Sequence, residues 1–335
     1  MPTALVTGAT GLVGSYIVER LLADGWRVRA LIRDAARAGQ LSRVGVELRS
    51  GDVLDVDRFA GAARGVDVVF HAAAAITPRG GWEAFRRVNV DGTRHAVAAA
   101  AAAGARLLHV SSVGVYGPRA RYGTARGATD EAVVLQPLPE GAFYARSKRE
   151  SEAIALSAHE RGDVWATAVR PCVIYGRRDR QFVPRVGRLL RRGFAPTIGG
   201  GRSTLAIVHA ANVADGAVRA AATDAAGGKA YNVANDFDVT VVDFYRLAAE
   251  GLGRRVRLVP VPMAVARAAL ATVRAIGPVV LGPRMNVVTE SSSLDFITRD
   301  NPFSSERARE EIKWTPTVRP EVGIPDAFRW WAAHH

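Results

Sequence analysis

A single cysteine, Cys172, in a chain of 335 residues leaves no partner for an internal disulfide, so the fold must be held by its core, and a reducing compartment is expected. Lysine is nearly as scarce. Lys148, Lys229 and Lys313 are the only three among 45 basic residues, so the formal net charge of +13 is an arginine charge. The arginines are scattered rather than gathered into one arm, which argues against a nucleic-acid partner and for a solvated surface of biased composition that also draws in an anionic cofactor. No basic leader with an apolar run precedes the first strand-like stretch, so a signal peptide is not expected and the protein reads as cytoplasmic. Uninterrupted apolar runs of spanning length are missing too: the most apolar stretch, 256–281, is broken by Pro260, Pro262, Arg267, Arg274 and Pro278, and no integral membrane span is expected. Within it Met263, Val265, Ala266, Ala269, Leu270 and Val273 are expected to face a core or a greasy substrate pocket, with peripheral membrane contact as the other reading. No internal repeat, long disordered segment or metal site is expected.

What is present is a chain 48% hydrophobic, long enough to bury a large core in one big domain or two. Strand-like runs at Thr3–Val6, Arg27–Ile32, Val46–Leu48, Val66–Phe70, Arg106–Val110 and Val164–Val169 alternate with helical segments. That rhythm predicts an α/β fold with a doubly wound parallel sheet of Rossmann type. The segment Trp82–Ala103 reads as helix through its closing alanine tract, Ala98–Ala103, since alanine is a strong helix former of little bulk. After Arg170-Pro171 the rhythm changes, and Val183–Leu190, Val241–Leu252 and Pro262–Ile276 read as helices amid loops. Residues 1–170 are therefore expected to form the dinucleotide-binding domain, with segments near 203–235 returning to it, and 171–335 mainly a smaller substrate-binding region.

Directly after the first strand stands Val6-Thr7-Gly8-Ala9-Thr10-Gly11-Leu12-Val13-Gly14-Ser15, with helical apolar spacing from Leu12 onward. Gly8 suits a tight turn, Gly11 a close backbone approach to a pyrophosphate, and Gly14 close helix–strand packing, with the helix N-terminus facing the phosphates. Farther along, Tyr144 and Lys148 stand four apart on one helical face, where an ammonium stabilises a tyrosinate and fits the phenol for acid/base work on a carbonyl or alcohol oxygen. The strand Arg106–Val110 delivers Ser111 and Ser112 to the carboxyl end of the sheet, where ligands bind in open α/β folds.

Together these segments resemble the extended branch of the short-chain dehydrogenase/reductase family. The resemblance spans Gly8 to Gly14, Gly51-Asp52-Val53, His71-Ala72-Ala73-Ala74, Asn89-Val90-Asp91-Gly92-Thr93, Ser111 to Gly117, Tyr144 with Lys148, and Arg170-Pro171-Cys172-Val173-Ile174-Tyr175-Gly176, in order and over nearly the whole chain. It implies Ser112 as the catalytic hydroxyl, Tyr144 as acid/base, Lys148 as pKa modulator and ribose contact, and Asn89 as a site organiser. It also implies cofactor contacts from Gly8, Thr10, Gly11, Leu12, Val13, Gly14, Asp52, Val53, Ala72, Ala73, Ala74, Ser111, Tyr144, Lys148, Pro171 and Val173. At the end of the second strand the family's usual acid position falls on Ile32, and Arg33 follows, which favours a 2′-phosphate and hence NADP(H). Asp34, one residue on, keeps NAD(H) as the alternative, and Arg37 is a second phosphate candidate.

Cys172-Val173 replaces the Phe-Asn pair usual in sugar-nucleotide members, and 174–184 is similar to 3β-hydroxysteroid dehydrogenase-like members, while 30–34 is similar to dihydroflavonol reductases. The expected function is therefore an NADP(H)-dependent oxidoreductase that reduces a ketone or aldehyde of a bulky, apolar small-molecule substrate. A nucleotide-sugar epimerase or dehydratase and a non-catalytic NADP(H)-binding regulator are the alternatives. A homodimer is expected over the helices around Trp82–Ala103 and Phe143–Glu160, whose small residues allow close approach.

Overall fold

The computed structural model describes residues 1–34, 38–76, 80–117, 125, 127–234, 237–269, 271–272 and 291–335. Its centre is a seven-stranded sheet of β1 (Thr3–Thr7), β2 (Arg27–Ile32), β3 (Glu47–Ser50), β4 (Val68–His71), β5 (Arg106–Val110), β6 (Ala166–Pro171) and β10 (Ala230–Val233). The spatial order is β10-β6-β5-β4-β1-β2-β3, and every pairing is parallel. Strand order reverses between β1 and β4, so a crevice opens at their carboxyl ends, where doubly wound sheets bind ligands. β7 (Val173–Tyr175) pairs with β9 (Ile207–His209), and β8 (Phe194–Ile198) with β11 (Arg257–Val261), each as a separate two-stranded parallel ribbon.

All five residues of β1 are buried, as a central parallel strand covered on both faces requires. Ala4 and Val6 join Ile17, Leu21, Val213 and Ala217 on one face of the sheet, while Leu5 joins Phe59, Ala96, Ala99 and Ala155 on the other. Each fully buried Leu or Phe of these layers, such as Leu107 and Phe59, contributes about 1.5–3 kcal/mol. A third apolar cluster, built on Val183, Phe244, Phe328 and Trp331, holds the helices Phe182–Leu190, Val241–Gly251 and Pro320–His334 together.

Three sequence expectations change in the structure. The helix expected over Trp82–Ala103 is Gly81–Phe85 and Gly92–Ala102 joined by a π-helical insert, Arg86–Asp91, a wider turn that carries Asn89 inward. The small residues of that region, Ala96, Ala99 and Ala100, pack in one cluster with Ala155 and Ala158, so the close helix approach they permit occurs within the chain. Of the apolar positions in 262–276, Met263 and Ala266 are half-buried but Val265 and Ala269 are exposed, while Leu270 and Val273 lie outside the described residues, as does Arg37.

Candidate active site

β1 ends at Thr7 and the chain turns at Gly8, whose φ of +67° only glycine adopts without strain. Gly11 N donates to Gly8 O at 2.8 Å to close the turn, and a Cβ on Gly14 would stand 2.2 Å from that same carbonyl oxygen. Helix Leu12–Ala23 thus begins against the strand end with Gly11 as its cap, no side chain bonded to its first N–H groups and no acid in its first turn. Those amides and the positive end of the helix form an anion cradle suited to a dinucleotide pyrophosphate, and the glycines let its backbone close up, since a Cβ on Gly8 would stand 2.8 Å from Ala73 N. Across the crevice Ala73 N donates to Thr7 Oγ1 at 3.2 Å, which fixes Ala72–Ala74 as the facing wall. Thr10 is half-buried in the turn, while Leu12 and Val13 pack half-buried against the core. Pro171 ends β6 beside Val233, and Val173 opens β7 beside Ile207.

β5 carries Ser111 and Ser112 past its last sheet bond. Ser111 is held by its backbone N–H on Val169 O, at 2.8 Å, and its buried hydroxyl has no partner among the described residues. Ser112 Oγ accepts from Gly114 N at 3.0 Å, which leaves its O–H to donate elsewhere. Gly114 lets the two groups come near: a Cβ there would lie 3.3 Å from Ser112 Oγ and 3.3 Å from Tyr144 Cε1, so serine hydroxyl and tyrosine ring both close on this glycine. The Tyr144 ring is half-buried, and Phe85 meets it edge-to-face with centroids 6.2 Å apart.

One turn along the same helix, Lys148 is buried and its Nζ donates to Val110 O at 2.8 Å. Burial lowers its pKa to about 8, opposed by the carboxylate of Glu152. Asn89 clamps the wall to this helix: Oδ1 accepts from Ala75 N at 2.7 Å, and Nδ2 donates to Ala75 O at 3.0 Å and to Ser147 Oγ at 2.9 Å. Ser147 Oγ in turn donates to Tyr144 O at 2.8 Å. The asparagine therefore organises the site without lying in the crevice.

Behind the helix stands a buried network that sequence reasoning missed. Arg170 forks onto Glu152 at 2.9 and 2.6 Å and donates to Tyr116 OH at 2.9 Å, while Tyr116 OH donates to Asn232 Oδ1 at 2.8 Å. A bidentate pair of this kind locks the helix against β6. The available signal was Glu152 itself, which continues the four-residue spacing of Tyr144 and Lys148. Two buried histidines, His71 and His109, stack 5.7 Å apart beside it, bound to Thr7 and Ser151. Burial keeps both neutral, with His71 pushed down to about 3.

On the far side of the cradle Arg33 follows β2, with Nη1 3.6 Å from Asp52 Oδ2 and its side chain 76% exposed. Asp52 Oδ1 accepts from Leu54 N at 2.9 Å, and Val53 is buried beside Gly92. An arginine and an aspartate therefore stand together at the end of β2. Asp34 is exposed next to them. Among the described residues no group of histidine, cysteine and acid side chains is arranged to hold a metal ion, and no helix is long and apolar enough to cross a membrane.

Residues 4–234 match the model of the NAD-dependent epimerase/dehydratase family. Over 331 residues the chain is 30% identical to a 4-hydroxy-2-methyl-3-oxo-4-farnesyl-3,4-dihydroquinoline-1-oxide ketoreductase of Stigmatella aurantiaca, covering 97% of this chain and 95% of that protein. A 2-alkyl-3-oxoalkanoate reductase of Shewanella oneidensis is 30% identical over 280 residues, 78% of this chain and 70% of the relative. In fold the chain superimposes on a UDP-glucuronic acid 4-epimerase of Bacillus cereus solved with NAD, with a TM-score of 0.74 over 98% of this chain and 96% of that one, at 18% identity.

Proposed function

The chain belongs to the NAD-dependent epimerase/dehydratase family and is an oxidoreductase of it, and on that premise we propose that it reduces a ketone borne on a bulky, hydrocarbon-rich substrate, with NADPH as the preferred cofactor. The observation that carries the reading is that Ser112 Oγ and Tyr144 both close on Gly114, with Lys148 buried one turn behind. The glycine cradle fits a dinucleotide, and the cofactor bound there supplies the hydride. Ser112, whose hydroxyl already accepts from Gly114 N, donates its proton in a hydrogen bond to the carbonyl oxygen and so fixes it. Tyr144 gives that oxygen its proton, and the charged Lys148 stabilises the phenolate left behind. Glu152, held by Arg170, and Asn89, bridging Ala75 to Ser147, keep the helix that carries both groups in place.

An apolar substrate suits the surroundings of the phenol. Phe85 packs on Tyr144, and Trp82 lies 6.4 Å from Phe143 at the start of the same helix. The relatives from Stigmatella and Shewanella are named for ketones that carry a farnesyl or alkyl chain, which agrees with such a wall. Cofactor oxidation is to be followed against 2-alkyl-3-oxoalkanoates, ring ketones with prenyl chains and, in parallel, nucleotide sugars. Turnover of the hydrocarbon-bearing ketones is expected; turnover of nucleotide sugars alone, with NAD retained through purification, would move the reading to an epimerase.

Lys148 gives the reaction a pH limit. Its folded pKa lies below the 10.5 of a free lysine, so the folded chain gives up this proton first, and losing it relieves a burial cost. Stability therefore rises with pH between about 8 and 10.5 as far as this group is concerned, whereas the phenolate loses its ammonium. Reduction is expected to decline as pH rises through about 8 while intrinsic fluorescence reports an intact fold. A flat kcat/KM profile across that range would remove Lys148 from its role.

The homodimer of this reading uses the outer faces of the helices Gly92–Ala102 and Phe143–Glu160, where Ala98 and Ala153 are exposed and leave room for a second copy. Light scattering at micromolar concentration is expected to give twice the chain mass, and a monomeric mass would count against it.

A further inference from the structure

We propose that the ribbon of β8 and β11, with the helical residues 263–269 that follow it, is a docking surface for an anionic lipid bilayer. Nine large apolar side chains are exposed among the described residues, and three of them, Phe194 at 47%, Val259 at 37% and Val265 at 56%, belong to this one place. The register explains why. Phe194 pairs with Arg257, Pro196 with Val259 and Ile198 with Val261, so alternation puts these six side chains on one face of the ribbon. Ala195 and Thr197 turn to the other face and are buried. The outward face is thus apolar apart from Arg257 at one end, and at the other end Met263 reaches toward Gly199 just past β8.

Charge around that face is mainly positive, with exposed Glu250 at the turn that leads into Arg254 and Arg255. Arg257 N donates to Gly193 O at 2.9 Å, which draws the turn carrying Arg192 and the turn carrying Arg254 and Arg255 to the same end of the ribbon. Arg267 stands on the helical side. All five arginines, Arg257 included, are exposed, and none makes an ion pair among the described residues. An acidic protein partner would match the charge, and vesicle binding is the measurement that separates it from a bilayer. An anionic bilayer matches both the charge and the apolar face, since apolar side chains enter the acyl boundary while guanidinium groups remain among the headgroups. This inference does not rest on the substrate reading, though a hydrocarbon-bearing ketone would be found in such a bilayer.

Flotation with vesicles of phosphatidylcholine alone, and of equal parts phosphatidylcholine and phosphatidylglycerol, tests the proposal. The whole chain is expected to float with the anionic vesicles, to remain behind with the neutral ones, and to be released by high salt. Each arginine reversed should weaken partition by roughly fivefold or more, so Arg254→Glu with Arg255→Glu should lose well over tenfold. Phe194→Ser with Val259→Ser should lose several-fold, and both pairs should keep the wild-type rate on a short, water-soluble ketone. Wild type that stays off anionic vesicles, or variants that float like wild type, would overturn the proposal. So would a concentration-dependent rise in mass that Phe194→Ser with Val259→Ser abolishes, which would assign the face to a second copy of the chain. Failure of every ketone to turn over would overturn the functional reading and leave vesicle binding as it was measured.

Discussion

Tyr144→Phe is expected to reduce turnover by about 10²–10⁴-fold, the usual worth of a positioned proton donor, while cofactor affinity changes little. The substitution removes one oxygen and leaves the ring in its edge-to-face contact with Phe85, and thermal melting checks that the fold is intact. The serines on β5 give the second half of this test. Ser112→Ala deletes the hydroxyl beside Tyr144 and should cost about 10²–10³-fold, in the range of a lost oxyanion donor. Ser111→Ala should cost far less, because its buried hydroxyl has no partner among the described residues to lose. Near wild-type turnover in Tyr144→Phe would end the assignment of the proton donor, and the reverse order of the serines would transfer the oxygen-fixing role to Ser111. Single-turnover rates together with cofactor titration distinguish these outcomes from a loss of binding.

Arg33→Ala should weaken NADPH binding by about 1.5–3 kcal/mol, the range of a hydrogen bond to a charged group, and barely change NADH binding. Magnitude decides between the two uses of this side chain. Its contact with Asp52 is a 3.6 Å pair with the arginine 76% exposed, and exposed pairs are worth about 0–1 kcal/mol. A 2′-phosphate would therefore draw the guanidinium away from Asp52 at small cost, and the loss on mutation should shrink as salt rises. Asp34→Ala should leave NADPH binding unchanged or improve it. Wild type that prefers NADH, insensitive to Arg33→Ala and damaged by Asp34→Ala, would assign the ribose to the aspartate and the chain to NAD(H).

Sequence and structure agree where the decisive interaction is local. β2 and β5 occupy the spans expected for them, because each is a short run of β-forming residues closed by a turn at both ends. β3, β4 and β6 begin one or two residues later than their apolar runs suggest, since parallel partners such as Ile32 with Ser50 and Thr7 with His71 set where pairing starts and stops. The apolar residues after Pro262 show the limit of composition as a guide. Valine and alanine in a helical pattern do announce an apolar face, yet only the placement of the β8–β11 ribbon leaves Val265 and Ala269 exposed.

By itself the sequence determined the glycine cradle and the Tyr144–Lys148 pair, because each depends on residues within a turn or two of one another, and it determined the parallel sheet through the alternation of strands with helical crossovers, which leaves parallel pairing as the outcome. The tertiary structure alone decided that Ser112 and Tyr144 both close on Gly114, and that Lys148 is buried against Val110. It also decided that Arg170 reaches back 18 residues to Glu152 and 54 to Tyr116, and that Arg33 meets Asp52. Those arrangements join distant segments through side chains of ordinary type, and their partners are chosen by how sheet and helices pack rather than by any pattern along the chain.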